Sequence, residues 1–248
     1  MSGFGAAQAA LQAGDHVEVL RLTDEVLAER PGDDAAHELR ARALLALGRL
    51  DEAEDHAQDA VRLDPDEVRY RELLAQVLSR RGAHREAAAE YGRLARNAPR
   101  LAEWTVAEAQ ERLGSAEPGM SVEAARRAVK LDPDNASAQL ALSRGLARTG
   151  DARGALQAAE AAAALLPGDR AAREVLADAR WLTDDDASAF GEYRALAGEL
   201  PDADRRRVAG KARALYRQHA GLFGRGVAAI RPLFELALRN GWLAVRER

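Results

Sequence analysis

The chain has 248 residues, no cysteine, 4% aromatics and a net charge of −4 from 36 basic and 40 acidic side chains. The missing cysteines exclude disulfides, thiolate metal sites and cysteine nucleophiles together. Scarce aromatics and the lack of β-branched runs argue against a sheet core and favour helices packed closely through alanine. Mixed surface charge gives no global electrostatic case for nucleic acid. No apolar run approaches the roughly 18 residues of a membrane span. Met1 to Leu11 lacks the basic start and apolar core of a signal peptide, so a cytoplasmic location is expected. Arginine far outnumbers lysine, which occurs only at Lys130 and Lys211, a bias that fits a GC-rich bacterial genome.

Along the chain one grammar repeats. Proline recurs at Pro31, Pro65, Pro99, Pro133, Pro167 and Pro201, six of the eight prolines, in steps of 34 residues. Ala60-Val61-Arg62-Leu63-Asp64-Pro65-Asp66 returns almost unchanged as Ala128-Val129-Lys130-Leu131-Asp132-Pro133-Asp134. A fixed period in this range marks a repeat architecture. Glycine recurs at Gly14, Gly48, Gly82 and Gly150, seventeen residues before a register proline. Each unit therefore reads as a helix, a glycine turn, a second helix and a proline turn. In the second unit the helices are expected over 35–47 and 50–63, with Asp66 free to cap the next one.

Small residues recur where helices must touch. They are Ala41, Ala75, Ala109, Ser143 and Ala177 in the first helix of each pair. In the second helix they are Ala53, Ala87, Ser121, Ala155 and Ala189, then Ala60, Ala128 and Ala162 near its end, with Leu94 and Leu196 in the other two units. Two units depart locally. Gly114-Ser115-Ala116-Glu117-Pro118-Gly119 predicts a longer loop and a shorter second helix in the fourth. Thr183-Asp184-Asp185-Asp186 replaces the turn glycine in the sixth and suits a helix N-terminus. After Asp204 the register weakens. Residues 205–219 read as another first helix, a glycine-rich stretch follows at Gly221–Gly226, and Leu233, Phe234, Leu236, Ala237 and Trp242 form an apolar end.

This pattern of length, glycine, alanine and proline resembles the tetratricopeptide repeat family. The resemblance implies an all-α fold, an α-solenoid of antiparallel helix pairs in a right-handed superhelix. It divides the chain into six units over 1–203, with boundaries near 34, 68, 102, 136 and 170, and a degenerate seventh unit plus a C-terminal capping helix over 204–248. The chain departs from the family at large residues. Trp104 lies one place from the usual early tryptophan, and the second-helix aromatic survives only as Tyr91 and Tyr193.

No catalytic cluster is legible, and an enzyme is not expected. His16, His37, His56, His84 and His219 are scattered over different repeats and lack the two-histidine spacing of a metalloprotease helix, so no metal and no cofactor is expected. Gly221–Gly226 lacks the Lys-Ser/Thr and the preceding strand of a phosphate loop. In the family, first helices line a concave groove. That layout implies groove positions at Glu38 and Arg42, then Arg69, Glu72, Gln76 and Arg80, then Glu103 and Gln110, then Arg144 and Arg148, then Glu174, Asp178 and Trp181. Arginine forks match carboxylates and glutamine pairs with backbone amides, which suits an extended peptide. The carboxylate clamp of tetratricopeptide co-chaperones uses lysine and asparagine, whereas Arg42, Gln76, Gln110 and Arg144 stand here.

The expected function is thus a non-enzymatic protein–protein interaction scaffold whose partner is another protein or a peptide, with neither nucleic acid nor membrane involved. The alternative is a self-assembling structural module, a homo-oligomer formed through Phe223, Phe234 and Trp242 at the apolar C-terminal end. Arg205-Arg206-Arg207 with Lys211 and Arg213 is the one basic run, too short for an RNA-reading stripe.

Overall fold

A computed structural model of the chain describes residues 3–98 and 101–220 and divides into two compact units, Met1–Pro133 and Asp134–Arg248. The N-terminal unit holds four helix pairs: α1 (Gly3–Gln12) with α2 (His16–Glu29), α3 (Asp34–Ala46) with α4 (Leu50–Leu63), α5 (Val68–Arg81) with α6 (His84–Asn97), and α7 (Ala102–Gly114) with α8 (Pro118–Leu131). The C-terminal unit pairs α9 (Ala136–Thr149) with α10 (Ala152–Leu165) and α11 (Arg170–Leu182) with α12 (Asp186–Glu199), and adds α13 (Asp202–Ala220). Every described element is helical, as the all-α reading requires. The apolar C-terminal residues Phe223, Phe234 and Trp242, and the Gly221–Gly226 stretch, lie outside the described residues.

The turn between the two helices of a pair is the same in all six units. Gly14, Gly48, Gly82 and Gly150 have φ between +74° and +85°. The following amide then reaches back five residues to a carbonyl of the first helix: Asp15 to Ala10, Arg49 to Leu44, Ala83 to Leu78, Glu117 to Arg112, Asp151 to Leu146 and Asp185 to Arg180, at 2.9–3.0 Å. This bond satisfies a carbonyl that the helix end would leave orphaned. Two units do it without glycine, because Ala116 (φ 60°) and Asp184 (φ 61°) occupy the same left-handed position.

The fourth unit therefore corrects the sequence expectation. Its turn is no longer than the others, and α8 spans 14 residues like α4, α6 and α10. Pro118 opens the helix, where its missing amide costs nothing and its fixed φ is already helical. Gly114 belongs to α7, and a Cβ there would lie 2.9 Å from the His84 ring. The glycine serves close packing rather than a loop.

Side-chain caps start most of the helices. Asp15, Asp33, Asn135, Asp151, Asp169 and Asp185 each accept from a backbone amide three residues on. The expected cap at Asp66 is one residue early: Glu67 holds the N-cap of α5 and accepts from the Arg69 amide. The residue before each described register proline is extended or near it, as at Asp64 (φ −132°, ψ 90°) and Asp132 (φ −143°, ψ 92°). Steric exclusion of the helical region before proline gives this conformation and ends each second helix.

The small-residue positions are where the paired helices meet. Ala41 and Ala53, Ala75 and Ala87, and Ala177 and Ala189 have no exposed surface. Serine is tolerated there because its hydroxyl is bonded across the pair: Ser121 donates to the Ala109 carbonyl at 2.7 Å and Ser143 to the Ala155 carbonyl at 2.9 Å. In the N-terminal unit, Leu44, Leu73, Leu74, Val77 and Leu78 fill the space around these alanines. In the C-terminal unit the core is Tyr193, Leu196, Val208 and Leu215, with Trp181 packed against it.

Candidate functional site

First helices touch one another within each unit, α1 with α3, α3 with α5, and α9 with α11. A shared first-helix side is thereby laid down in each unit, the side on which the groove residues are expected. The sequence sees each of these residues on a helix face; the neighbouring first helix about 34 residues away decides what the residue does.

Several of the thirteen are engaged within the protein. Glu38 is only 5% exposed, bonded to Arg42 at 2.9 Å and facing Arg69 at 3.6 Å from the next first helix. Arg69 also stacks over the Tyr70 ring, and the Tyr70 hydroxyl donates to Asp34 at 2.7 Å. Burial and the Asp34 carboxylate push the Tyr70 phenol up to about 12. Gln76 donates to Glu72 one turn away at 3.4 Å.

In the C-terminal unit, Glu174, Asp178 and Trp181 hold α13. Arg207 donates to both Glu174 oxygens, and Lys211 donates to Glu174 at 2.7 Å and to Asp178 at 2.6 Å. The Tyr193 hydroxyl donates to Asp178 at 2.5 Å, and burial with that carboxylate pushes its phenol well above the usual range. Trp181 donates from its indole to Gln218 at 3.2 Å and meets the Tyr193 ring edge-on at 6.3 Å. The basic run noticed in the sequence is thus partly neutralised on α11. The Arg207 hydrogen bond, with Lys211 beside it, lowers the Glu174 carboxyl to about 2 against the opposing effect of burial.

The others face solvent. Arg80 on α5, Glu103 and Gln110 on α7, and Arg144 and Arg148 on α9 are exposed, and they make no hydrogen bond or ion pair among the described residues. Arg42 and Gln76 are exposed beside their own-helix partners. Trp104, one place from the family tryptophan, is half-buried.

One constellation escaped the sequence reading. His37 on α3 and His56 on α4 bring their Nδ1 atoms to 2.9 Å, and Asp59 Oδ2 lies 3.7 Å from His37 Nδ1. These three residues can converge on one ion. His37 Nε2 faces the Pro31 carbonyl at 3.1 Å, and Arg40 Nε donates to His56 Nε2 at 3.0 Å. Burial first, then Arg40 and His37, lower the His56 imidazole against the pull of Asp59 and Asp55. The signal in the sequence was a 19-residue spacing across the helix pair. The same register places Arg71 on Glu90 at 2.9 Å and Arg173 on Glu192 at 2.5 Å. Searching for two histidines on one helix could not find it.

The fold and the repeated turn define a helical-repeat protein of antiparallel pairs. Residues 10–77 match the tetratricopeptide repeat family model, and the chain has the helical-repeat fold of tetratricopeptide repeat proteins. It is similar to a tetratricopeptide repeat protein from Parabacteroides merdae ATCC 43184 (TM-score 0.75, 15% identity, covering 95% of this chain and 97% of that one). It is also similar to MamA residues 41 to end from Desulfovibrio magneticus RS-1 (TM-score 0.58, 21% identity, 65% and 90%). YrrB, described as a TPR protein with an unusual peptide-binding site, matches with TM-score 0.57 at 17% identity over 76% of this chain and 97% of that one. At these identities what is shared is the fold. No curated protein matches the chain. No helix among the described residues is long and apolar enough to cross a membrane.

Proposed function

We propose that the chain is a non-enzymatic, cytoplasmic protein-interaction scaffold that holds an extended segment of a partner protein against its first helices. The observation that carries this reading is a pair of residues in each unit taken by itself, Arg80 and Gln110 in the N-terminal unit and Arg144 and Arg148 in the C-terminal unit. They are long donors on first helices, exposed and with side chains bonded to no described residue. Arginine and glutamine there suit an acidic or main-chain-presenting peptide. The likeness to a relative with a peptide-binding site supports the same class of partner. Glu38 and Arg69 tie together α3 and α5, which carry contact residues, while Glu174, Asp178 and Trp181 hold α13; Arg42, Gln76 and Glu103 add to the contact surface.

The test is affinity purification with mass spectrometry, comparing the native chain with a variant carrying Arg80→Glu, Arg144→Glu and Arg148→Glu. Arg42 is left intact because it is bonded to the buried Glu38. All three changed residues are exposed, so circular dichroism of the variant should match the native chain. A protein recovered with the native chain and lost with the folded variant is the expected result. Equal recovery with both would move attention away from the first-helix side.

A further inference from the structure

We propose that His37, His56 and Asp59 form a binding site for a borderline divalent metal ion, Zn²⁺ first among them, that ties α3 to α4. In the third and sixth repeats this cross-helix position carries a complementary ion pair, Arg71 with Glu90 and Arg173 with Glu192, while the fourth and fifth have Thr105 opposite Ala124 and Gln139 opposite Ala158. The second unit has two imidazoles instead, and their facing nitrogens share a single proton. Two nitrogen bases and a carboxylate are a ligand set for Zn²⁺, Ni²⁺ or Cu²⁺, not for Mg²⁺ or Ca²⁺.

The protons can be placed from the partners. Arg40 donates to His56 Nε2, so the His56 proton sits on Nδ1 and points to His37 Nδ1. The His37 proton then sits on Nε2 and is donated to the Pro31 carbonyl. A ligating histidine is normally oriented this way, its second nitrogen donating to a backbone carbonyl. His37 therefore offers a bare Nδ1 without any change. Asp59 Oδ1 accepts from Arg62 at 2.7 Å, which leaves Oδ2 on the His37 side. Asp59 is 37% exposed against 9% for the His37 side chain, so the ion has a way in from solvent.

The obstacle is His56. An ion takes the place of the shared proton, which moves to His56 Nε2, and the Arg40 bond to that nitrogen is given up. Arg40 has other acceptors, the Leu20 carbonyl at 3.0 Å and Asp24 at 2.6 Å, and remains anchored. Two nitrogens 2.9 Å apart subtend about 90° at an ion about 2.1 Å from each, so a tetrahedral site needs them to part by about 0.5 Å. Water completes the coordination on the solvent side.

Isothermal titration of Zn²⁺ into the full chain, with Mg²⁺ as control and a chromophoric zinc indicator as competitor, tests the site. The expected result is one Zn²⁺ per chain and no heat with Mg²⁺. Affinity falls at least tenfold in His56→Gln and in Asp59→Asn, and a metal-dependent rise in melting temperature disappears with it. Asp59 is partly exposed, so Asp59→Asn keeps the test valid should His56→Gln fold poorly. Arg40→Met removes the competing donor and the nearby positive charge, and should tighten binding several-fold. Absence of stoichiometric Zn²⁺ binding, or equal affinity in native chain and Asp59→Asn, would overturn the proposal.

Discussion

Ala116 and Asp184 adopt a backbone conformation that costs an L-residue about 1–2 kcal/mol. They hold it because the next amide, of Glu117 or Asp185, is bonded back into the preceding helix at 2.9 Å and 3.0 Å. The closing bond over-determines the turn. Alanine has no side-chain hydrogen bond to offset the strain, whereas a short polar side chain tolerates the region better. Ala116→Gly should therefore raise stability by about 1 kcal/mol, net of the entropy that glycine adds to the unfolded chain, and the melting temperature by about 2–4 °C. Asp184→Gly should give a smaller rise. Parallel thermal melts check both, and a fall for Ala116→Gly would show that the turn is not strained. At this scale the sequence was readable wherever only one residue type performs the task. Glycine marks four of the six turns, and alanine or serine marks the sites of closest helix approach. It was not readable where packing imposes a conformation on an ordinary residue, as at Ala116. Nor was it readable where the residue type pointed the wrong way, as at Pro118 and Gly119, which look like a loop and form a first helical turn.

Helix α13 shows how an element is placed by charge as much as by apolar burial. By register its glycine turn would fall at Gln218, which cannot favour a left-handed turn, and the helix runs through that position. It starts at Asp202, directly after Pro201, two residues earlier than the repeat period predicts. Its inner face carries Val208, Ala212 and Leu215 into the core, and its flank carries Arg207 and Lys211 onto Glu174 and Asp178. The Glu174 carboxyl is lowered in the folded chain to about 2. A group depressed by folding lends stability above its unfolded value, near 4.5, and loses it as the pH falls towards 2. Docking of α13 should weaken over that window. With Trp104 and Trp242 replaced by phenylalanine, the fluorescence of Trp181, which bonds Gln218 of α13, reports it. Glu174→Gln should dock more weakly at pH 7 and lose most of the acid transition. An unchanged transition in that variant would assign it to other carboxylates. Sequence reading found this helix and its charges but treated Glu174, Asp178 and Trp181 as open groove residues. Their partners Arg207, Lys211 and Gln218 lie 33 to 37 residues further on, a separation no local pattern reports. Glu38 with Arg69 repeats the case in the N-terminal unit.

For the whole molecule, the division at Pro133 has a consequence for both stability and binding. Repeat arrays gain stability as the sum of each unit and its neighbours, so a run of pairs with its own core can fold without the rest. The N-terminal unit has such cores: Leu44, Leu73, Leu74 and Val77 form one with the pair-contact alanines, and Val19, Leu22 and Leu39 form another with Ala7 and Ala43. The clusters around Tyr193 and Leu215 lie wholly within the C-terminal unit. A fragment of residues 1–133 should therefore be helical and melt cooperatively. It should also keep any Zn²⁺ site at His37, His56 and Asp59, since all three ligands and Arg40 fall inside it. It retains Arg42, Gln76, Arg80 and Gln110 but loses Arg144 and Arg148, so its hold on an acidic partner segment should be weaker than that of the full chain and still fall with salt. Circular dichroism melts and a salt series of the partner pull-down measure the two effects separately. A helical fragment that binds the partner as tightly as the full chain would confine recognition to α3, α5 and α7. A fragment that does not fold would mean that the N-terminal cores cannot sustain four helix pairs without the residues that follow them.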